Sequence, residues 1–444
     1  MKIVDMRVTP VAMADPPLLS SYGLHAPYAL RTVVELVGED GLGGAAETPG
    51  GEAMLELFAA VRGAVLGRDA YDLARLRLDV DRVFAAAQPP PGPRPGPPDP
   101  DMPQQTHILP GEGRDDAALR VFAALEVAAL DLVGKATGRP VCDLLGGKIR
   151  DAVPFGAYLF YKRAGGGGGA ADAREERWPA ALTPEAIVAQ ALQMIDAYGF
   201  QSVKLKGGVL PPDEEIAAIR ALRDTLGPAV PLRIDPNGAW TVPTSIRVGT
   251  ALAGALEYLE DPTPGIARMA AVRRGLLAAG VETALASNNA VTSFADVPAM
   301  LGEGAAQVIL ADHHYWGGLR EVTHLGRLCE TYGVGLGMHS NSHLGLSLLA
   351  MVHVAAATPH LTYASDTHYP WQEAADEVLV GGRVRIDGGA VRVPDGPGLG
   401  AEIDRDALAR AAERYARAGY RRRDDAAEMR THVDSTWERT VSRW

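Results

Sequence analysis

Short apolar runs alternate with segments of helical spacing between residues 154 and 367, and this alternation restricts the fold more than any other feature. Eight of the runs are predicted strands: 154–161, 202–208, 230–235, 256–262, 283–288, 308–316, 334–340 and 361–367. The predicted helices between them are 183–198, 213–226, 243–254, 266–279, 294–302, 318–332 and 342–357. Strands that alternate with helices form parallel sheets, and eight such strands predict a closed α/β barrel rather than an open sheet.

The first part of the chain has a different pattern and is predicted to form an α+β capping domain. Alternating residues and a hairpin around Gly38–Gly43 predict a β-meander in residues 1–60. Alanine- and leucine-rich segments at 52–87 and 113–138 have helical spacing. This mixture of antiparallel strands and helices does not continue the barrel pattern.

Two further segments complete the predicted organisation. Residues 88–110 contain so much proline that a helix or a central strand is excluded, which predicts a surface excursion. The C-terminal segment contains a predicted short strand pair at 383–393 and cannot add a barrel unit, so we expect it to return to the cap. The expected domains are a cap at 1–150, a (β/α)7β-type TIM barrel at 151–390 and a C-terminal segment at 391–444.

Charge and cysteine content restrict the partners and the compartment. A formal net charge of −12 over 444 residues argues against nucleic acid or an anionic membrane as the main partner. No apolar run reaches membrane-spanning length, and the N-terminal sequence lacks a secretory pattern. Cys142 and Cys329 are the only cysteines, which argues against a disulfide framework and favours the reducing cytoplasm.

Three oxygen-bearing side chains end successive predicted strands of the barrel. They are Asp235, Glu260 and Asn288 on the third, fourth and fifth strands. Taken singly, Asp235 also fits the start of a turn, and Glu260 fits an acidic turn before a helix. Neighbouring parallel strands would bring the three side chains to one point, where they suit Mg²⁺, because no cluster of thiolates or imidazoles argues for zinc.

Candidate proton-transfer groups end other predicted strands. Lys204 and Lys206 point the same way on the second strand, and two adjacent ammonium groups lower each other's pKa, so that one becomes a base. On the other side of the barrel, Asp312 ends the sixth strand and His339 the seventh, where the carboxylate would orient the imidazole. Two bases across one metal site suit removal of a proton α to a carboxylate, with the cation stabilising the enediolate.

This set of residues resembles the enolase superfamily, and specifically its glucarate dehydratase group, whose Lys or His base and Mg²⁺ are the known pattern of the superfamily. The similar text covers nearly the whole chain: 200–209, 234–240, 259–262, 284–288, 311–316, 339–345, 353–359, 366–373 and 393–404. The resemblance implies Asp235, Glu260 and Asn288 as Mg²⁺ ligands. It also implies Lys206 as one base, tuned by Lys204, and His339 as the other base, oriented by Asp312.

The resemblance further implies a substrate and a reaction. Asn237, Tyr158 and His368 match substrate-contacting positions, and His25 lies in the loop that closes over the distal end of an acid sugar. The implied reaction is β-elimination of water from a dicarboxylate such as D-glucarate, giving 5-dehydro-4-deoxy-D-glucarate. The family and the cap also lead us to expect a homo-oligomer.

The chain departs from the family pattern at several places that determine specificity. The usual Asp-Pro-His-Phe-Trp is here residues 312–316, Asp-His-His-Tyr-Trp. His314 is the matching histidine, and His313 is expected to be an exposed loop residue without a role. The 88–110 excursion and the glycine run Gly165–Gly169, which we expect to be flexible, are also atypical.

Three alternatives to a glucarate dehydratase remain open. The substrate could be another aldarate or an aldonate, because a single stereocentre is distinguished by sub-ångström placement. The same two bases could racemise or epimerise an α-hydroxy acid. From a different class, the chain could be a non-catalytic barrel that binds an acid sugar.

Overall fold

The computed structural model describes residues 1–87 and 117–444, so the predicted 88–110 excursion lies outside the described residues. The chain begins with an antiparallel cap sheet in the order β1-β4-β5. The strands of this part are β1 (Ile3–Ala14), β2 (Leu19–Ser20), β3 (Gly23–Leu24), β4 (Tyr28–Gly38) and β5 (Gly43–Pro49). The helices that follow are α1 (Glu52–Val65), α2 (Leu73–Ala87), α3 (Ala117–Thr137) and α4 (Val141–Leu144).

The barrel consists mainly of alternating strands and helices. After β6 (Ala152–Pro154) come β7 (Ala157–Phe160), α5 (Pro184–Tyr198), β8 (Val203–Lys206), α6 (Pro212–Leu226), β9 (Leu232–Asp235), α7 (Val242–Ala251), β10 (Tyr258–Glu260) and α8 (Ile266–Ala278). The second half has β11 (Ala284–Ser287), α9 (Val297–Glu303), β12 (Val308–Ala311), α10 (His313–Trp316), α11 (Leu319–Tyr332), β13 (Gly335–Met338) and α12 (Gly345–Ala357). Strands β7 to β13 form one parallel sheet in sequence order, which confirms the predicted α/β barrel.

The predicted eighth strand, 361–367, closes this sheet without forming a continuous ladder. On one side, the Asp366 amide donates to the Met338 carbonyl at 2.8 Å. On the other side, Ser365 forms a parallel bridge with Phe155, and the Gly156 amide donates to the Ser365 carbonyl at 2.9 Å. The segment therefore joins β13 to the strand region around β7.

Local sequence signals determine where the barrel helices begin and end. Thr183 caps the start of α5 by accepting a hydrogen bond from the Ala186 amide, and Gly199 ends that helix with a φ of 73°. Gly333 ends α11 in the same left-handed conformation, with a φ of 67°. Because glycine adopts this conformation without steric cost, the chain turns at once into the next strand.

The C-terminal segment differs from the prediction in its strand pairing. Strand β14 (Ala390–Arg392) pairs antiparallel with β6, so the strand pair predicted within 383–393 is wrong, and Asp387 and Ala390 make only an isolated bridge. The Gly388–Gly389 turn carries φ values of 57° and 74° and brings Asp387 and Ala390 into mutual hydrogen bonds, but the pairing does not extend beyond them.

Beyond β14, helices α13 (Arg405–Arg417) and α14 (Asp425–His432) follow. In α13, Arg414 Nε donates to the Ala12 carbonyl of the cap at 3.0 Å. At its end the chain reaches the barrel, where the Trp444 amide donates to the Ala239 carbonyl at 3.0 Å. The segment after β14 therefore contacts the cap and also the loop that follows β9.

The glycine run Gly165–Gly169 is closely packed, although a flexible segment was expected. A Cβ atom on Gly167 would lie 2.2 Å from the Asp15 carbonyl oxygen, and one on Gly166 would lie 2.2 Å from that of Arg174. Only glycine permits this approach of two backbones.

Among the described residues, no helix is long and apolar enough to span a bilayer.

Candidate active site

A cavity of about 410 Å³ lies between the carboxyl ends of the barrel strands and the cap. Lys206, Asn237, His339 and His368 contribute to its barrel side. Other lining residues come from the cap and from the segment before α14, and they include Tyr22, His25, Arg31, Arg421, Arg422 and Arg423. The cavity therefore brings together the predicted bases and several cationic side chains.

Beneath the cavity lie the three predicted metal ligands, all on neighbouring strands. Asp235 and Glu260 are fully buried, and Asn288 follows β11 directly. One end of the Asn288 amide lies 3.1 Å from Glu260 Oε1, and its other end lies 3.2 Å from His339 Nε2. Ligand oxygens of octahedral Mg²⁺ lie roughly 3 Å apart, because the Mg–O distance is about 2.1 Å. In this structure the hydrogen-bonding pattern places the amide nitrogen of Asn288 next to Glu260, so Asn288 would bind the ion with its amide turned to direct the oxygen to this side.

The charges around these residues also fit a cation. Burial, followed by the charge of Asp235, raises the pKa of Glu260 well above its usual range. Next to Glu260, the buried Asp261 accepts hydrogen bonds from Ser287 Oγ at 2.6 Å and from the Asn288 amide at 2.8 Å, which fixes the backbone of Asn288. A divalent cation would offset the repulsion between the buried carboxylates, so the donor set suits Mg²⁺.

A second group of potential ligands, Asp312, His313 and His314, has donor atoms within 4.8 Å of one another. It fits a metal less well, because Asp312 Oδ1 already lies 2.7 Å from His314 Nδ1. The guanidinium group of Arg31 also lies 3.5 Å from the other ring nitrogen of His314. A neighbouring fixed cation opposes metal binding, so we interpret this group as a hydrogen-bonded network.

Lys206 ends β8 at the floor of the cavity. Its Nζ lies 2.6 Å from Asp235 Oδ2 and donates to Tyr158 Oη at 3.0 Å. Tyr158 Oη in turn lies 3.2 Å from Asp235 Oδ2. Tyr158 is therefore positioned between the base and a candidate metal ligand, and it is not among the described residues that line the cavity.

Lys204 has surroundings that differ from the prediction. Its ammonium group lies 2.5 Å from Glu260 Oε2 and 2.6 Å from Asp366 Oδ2. Burial lowers the pKa of Lys204, but the charges of Asp366 and Glu260 outweigh it and hold that pKa well above the usual range. Lys204 is thus a fixed cation, because its carboxylate neighbours outweigh the second ammonium group.

His339 follows β13, on the far side of the barrel from Lys206. Its Nδ1 lies 3.0 Å from Asp312 Oδ2, which confirms the predicted contact between the two side chains. Burial would raise the pKa of Asp312, but the charge of His314 and hydrogen bonds from His314 and His339 hold it well below its usual range. An ionised Asp312 keeps the Nδ1 proton of His339 in place and leaves Nε2 for proton transfer.

Two other predicted substrate-binding residues line the cavity. Both side-chain polar atoms of Asn237 are buried without a hydrogen-bond partner, and its backbone has a φ of 48°. Burial, followed by the charge of His339, holds the pKa of His368 well below its usual range, so that ring is neutral. An unpaired buried amide costs about 1–3 kcal/mol, which a bound polar ligand could recover.

The fourth predicted substrate residue, His25, lies in the loop between β3 and β4 on the cap side. Its Nδ1 lies 3.1 Å from Asp15 Oδ2, and the same oxygen accepts a hydrogen bond from Arg423 at 2.9 Å. Ser342, in the loop after His339, also donates to this oxygen at 3.3 Å. His25 is therefore held where the cap, the barrel and the C-terminal segment meet.

His313 is buried, so the prediction of an exposed loop histidine is wrong. Asp312 caps the short helix α10 by accepting a hydrogen bond from the His314 amide, and the helical turn directs His313 inward. Its ring centroid lies 3.9 Å from that of His314. Burial, followed by the charge of His314, holds the pKa of His313 well below its usual range.

Sequence analysis missed several residues of this site. Asp366 ends the eighth barrel segment and links Lys204 to Arg233. Like the predicted site residues, Asp366 ends a predicted barrel strand, so the sequence could have identified it. Arg31 of the cap offered no such signal, because it lies inside β4 and does not end a barrel strand.

Comparisons with known proteins identify the family. Residues 186–407 match the sequence family described as enolase C-terminal domain-like. A probable glucarate dehydratase from Streptomyces coelicolor is 45% identical over 445 residues, which cover 100% of this chain and 99% of the relative. The chain belongs to the enolase superfamily. It is therefore an enzyme, similar along its whole length to a probable glucarate dehydratase.

Solved structures of superfamily members have the same fold. An enolase from Thermobispora bispora, complexed with magnesium and formate, is 50% identical with a TM-score of 0.89, and the match covers 100% of both chains. An enolase from Pseudomonas fluorescens, with bound magnesium, potassium and tartrate, is 42% identical with a TM-score of 0.90. That match covers 100% of this chain and 99% of the other chain.

Proposed function

We propose that this superfamily member is a Mg²⁺-dependent acid-sugar dehydratase that acts on a dicarboxylate, with D-glucarate as the first candidate. The observation that carries the proposal is that Lys206 and His339 line one cavity from different sides. Their strands, β8 and β13, are five positions apart in the sheet order. A substrate carbon held between them could lose its proton to either residue, depending on its configuration.

Asp235, Glu260 and Asn288 would hold the metal ion. Bound there, Mg²⁺ would supply positive charge next to the substrate carboxylate and so stabilise the negative charge that develops when the α-proton leaves. Lys204 adds a fixed ammonium charge beside Glu260, and Tyr158 keeps Lys206 directed toward the cavity. These buried charges need no reorganisation during the reaction.

The proposed reaction has three proton movements. Lys206 or His339 removes the α-proton, and the β-hydroxyl leaves as water after receiving a proton, for which the protonated imidazole of His339 is the candidate donor. The resulting enol takes a proton from solvent at the carbon that lost the hydroxyl, and it becomes a ketone. One water molecule is released and no oxidant is needed.

Charge in the upper cavity supports a dicarboxylate. Arg31, Arg421, Arg422 and Arg423 line a cavity in a chain whose net charge is −12. Glu52, Glu56 and Asp425 line the same cavity, and Arg31 and Arg423 already pair with Glu47 and Asp15. Arg421 is therefore the first candidate for binding an anion, because its Nη1 donates to the backbone carbonyls of Tyr415 and Tyr420 and a carboxylate would be a stronger partner. A second carboxylate at the distal end of the sugar would match this charge, and the similarity to a probable glucarate dehydratase from Streptomyces coelicolor supports the same substrate class.

Epimerisation of an α-hydroxy acid is the second candidate. The two bases on different sides of the cavity favour it equally, because they could remove and return a proton on opposite faces. Loss of water distinguishes the two reactions, since an epimerase returns the proton and leaves the hydroxyl group in place.

A substrate screen tests the proposal. The purified protein with Mg²⁺ is incubated with a panel of aldarates, aldonates and shorter hydroxy acids, and keto-acid formation is followed with semicarbazide. We expect turnover of glucarate or of another aldarate, and loss of that turnover with EDTA. If no acid sugar gives a keto acid while α-epimers interconvert, the chain is an epimerase instead.

Magnesium affinity should depend on pH, because the pKa of Glu260 is raised by burial and by Asp235. The protonated form of Glu260 persists to higher pH than in a free glutamate, so Mg²⁺ must displace that proton. We expect the apparent Kd for Mg²⁺ to fall as the pH rises, with proton release on binding. Calorimetric titration in two buffers of different ionisation enthalpy measures this release, and equal heats in both buffers would contradict it.

His25 should affect the distal end of the substrate more than the metal. In a His25→Ala variant, we expect the KM for the preferred dicarboxylate to rise by roughly 10-fold or more, the cost of about one charged hydrogen bond. The Mg²⁺ affinity should stay within a few-fold, because His25 contacts Asp15 and none of the metal ligands. Glu56→Ala, on α1 at the cavity rim, is the control. Equal losses of metal and substrate affinity in the His25 variant would refute this role.

A further inference from the structure

The carboxylate of Asp312 is shared by two imidazoles, of which the proposed reaction uses only one. Asp312 Oδ2 lies 3.0 Å from His339 Nδ1. The other oxygen, Oδ1, lies 2.7 Å from His314 Nδ1 and accepts the His314 amide at 2.9 Å. All three side chains are buried. Each carboxylate oxygen therefore serves one histidine.

The far side of the His314 ring reaches the cap. Its Nε2 lies 3.1 Å from the Glu47 carbonyl oxygen and 3.0 Å from Ser347 Oγ. Glu47 belongs to β5, and its carboxylate accepts a hydrogen bond from Arg31 Nε of β4 at 2.8 Å. His314 thus lies between the carboxylate that orients His339 and a buried ion pair of the cap.

The same ion pair also holds the chain that carries His339. Both oxygens of the Glu47 carboxylate accept the Leu344 amide, at 2.9 and 3.0 Å, at the start of α12. Arg31 Nη1 donates to Asn341 Oδ1 at 3.0 Å, and both Arg31 and Asn341 line the cavity. The loop between His339 and Leu344 is therefore tied to the cap at two points.

We infer that His314 is a positioning residue for the proton-transfer imidazole: it fixes Asp312 so that Oδ2 faces His339 Nδ1, and it joins this pair to the Arg31–Glu47 pair of the cap. Without the His314 ring, Oδ1 would keep only one backbone hydrogen bond, and the carboxylate could rotate. His339 would then lose the partner that fixes its orientation and its tautomer. This inference rests on the proposed function of the same site.

Two substitutions separate the two sides of His314. In His314→Asn, the amide nitrogen takes approximately the place of Nδ1 and can still donate to Asp312. In His314→Gln, the amide reaches toward the place of Nε2 and keeps the cap side while losing the contact to Asp312. His313→Asn is the matched control, because His313 is equally buried, its ring is tilted by 35° against that of His314, and its Nδ1 has no hydrogen-bond partner.

The readout uses a pair of substrate epimers at the α-carbon in D₂O, with the Mg²⁺-loaded enzyme. One epimer presents its α-hydrogen to Lys206 and the other to His339. In His314→Gln we expect kcat for the His339-facing epimer to fall by roughly 10–100-fold, as for other groups that orient a ligand or base, with KM within a few-fold. Deuterium exchange of the Lys206-facing epimer should stay at the parent rate, and His314→Asn should recover most of the kcat.

A second measurement does not depend on turnover. In histidine-labelled protein, the Nδ1–H resonances of His314 and His339 should both lie far downfield, because each proton is held by Asp312. His314→Gln should remove one resonance and shift the other, while His313→Asn should keep both resonances, with only the small shift of the His314 resonance that follows from losing the neighbouring ring.

Three results would overturn the inference. They are an equal loss of α-hydrogen exchange for both epimers, equal losses in the Asn and Gln variants, and an unshifted His339 resonance in His314→Gln. If the parent enzyme converts no acid sugar, the proposed function fails, and the resonances alone decide whether His314 positions His339.

Discussion

Replacing Lys206 by Met should reduce turnover of the Lys206-facing substrate by roughly 10²–10⁴-fold, the range for loss of a general base. Lys206 lines the cavity, and Met keeps most of the length of its side chain while removing the ammonium group that would transfer the proton. Exchange of the α-hydrogen from that face should stop. Binding of Mg²⁺ should persist, because all three candidate ligands are retained.

The control for this variant is Lys162→Met. Lys162 is equally buried just after β7, the neighbouring strand, but its ammonium group pairs with Glu176 at 2.9 Å and does not line the cavity. We expect this control to lose stability without losing the chemical step. If both variants retained exchange at the parent rate, Lys206 would not be a base.

Replacing Glu260 by Gln should have the largest effect on metal binding. The substitution keeps the shape of the side chain and removes one negative charge from the candidate ligand set. Mutation of a residue that hydrogen-bonds to a metal ligand typically lowers metal affinity or activity by about 10–100-fold. Loss of charge on a direct ligand should therefore weaken Mg²⁺ binding by more than roughly 100-fold. Turnover should fall with it, since charge stabilisation at the carboxylate would be lost.

Glu257→Gln is the matched control for Glu260→Gln. Glu257 lies just before β10, three residues before Glu260, where it pairs with Arg233 at 2.6 Å. Its carboxylate does not contact the candidate metal ligands. We expect unchanged Mg²⁺ affinity in this control, measured by calorimetry. Normal affinity in Glu260→Gln would show that the metal is bound elsewhere, for example by Asp312, His313 and His314.

The barrel and the residues at the ends of its strands were predictable, because strands that follow one another in the chain are neighbours in the barrel. Asp235, Glu260 and Asn288 end consecutive strands, and consecutive strands of this barrel are neighbours in the sheet. The same rule placed Asp312 and His339 on adjacent strands, where their side chains meet at 3.0 Å. Short-range periodicity and the topology of βα units were sufficient for these residues.

Contacts between the cap and the barrel were not predictable in the same way. Arg31 meets Asn341, which is 310 positions away, and only the packing of the two parts brings them together. The burial of His313 depends on the helical turn after Asp312, and the high pKa of Lys204 depends on Asp366, which was not considered. For Arg31 and Lys204 a long-range neighbour determined the result, and for His313 a short helical turn that the predicted strand over 308–316 did not include.

The most direct test of the proposed reaction is the isotopic composition of the product formed in D₂O. The Mg²⁺-loaded enzyme is incubated with the best dicarboxylate of the panel, and the product is analysed by mass spectrometry and NMR. We expect the loss of one water molecule and a single deuterium at the new methylene carbon, because the enol takes its proton from solvent. Deuterium at the α-carbon of an intact substrate, without loss of water, would contradict dehydration and identify an epimerase. The absence of both water loss and deuterium in the recovered substrate would contradict proton abstraction.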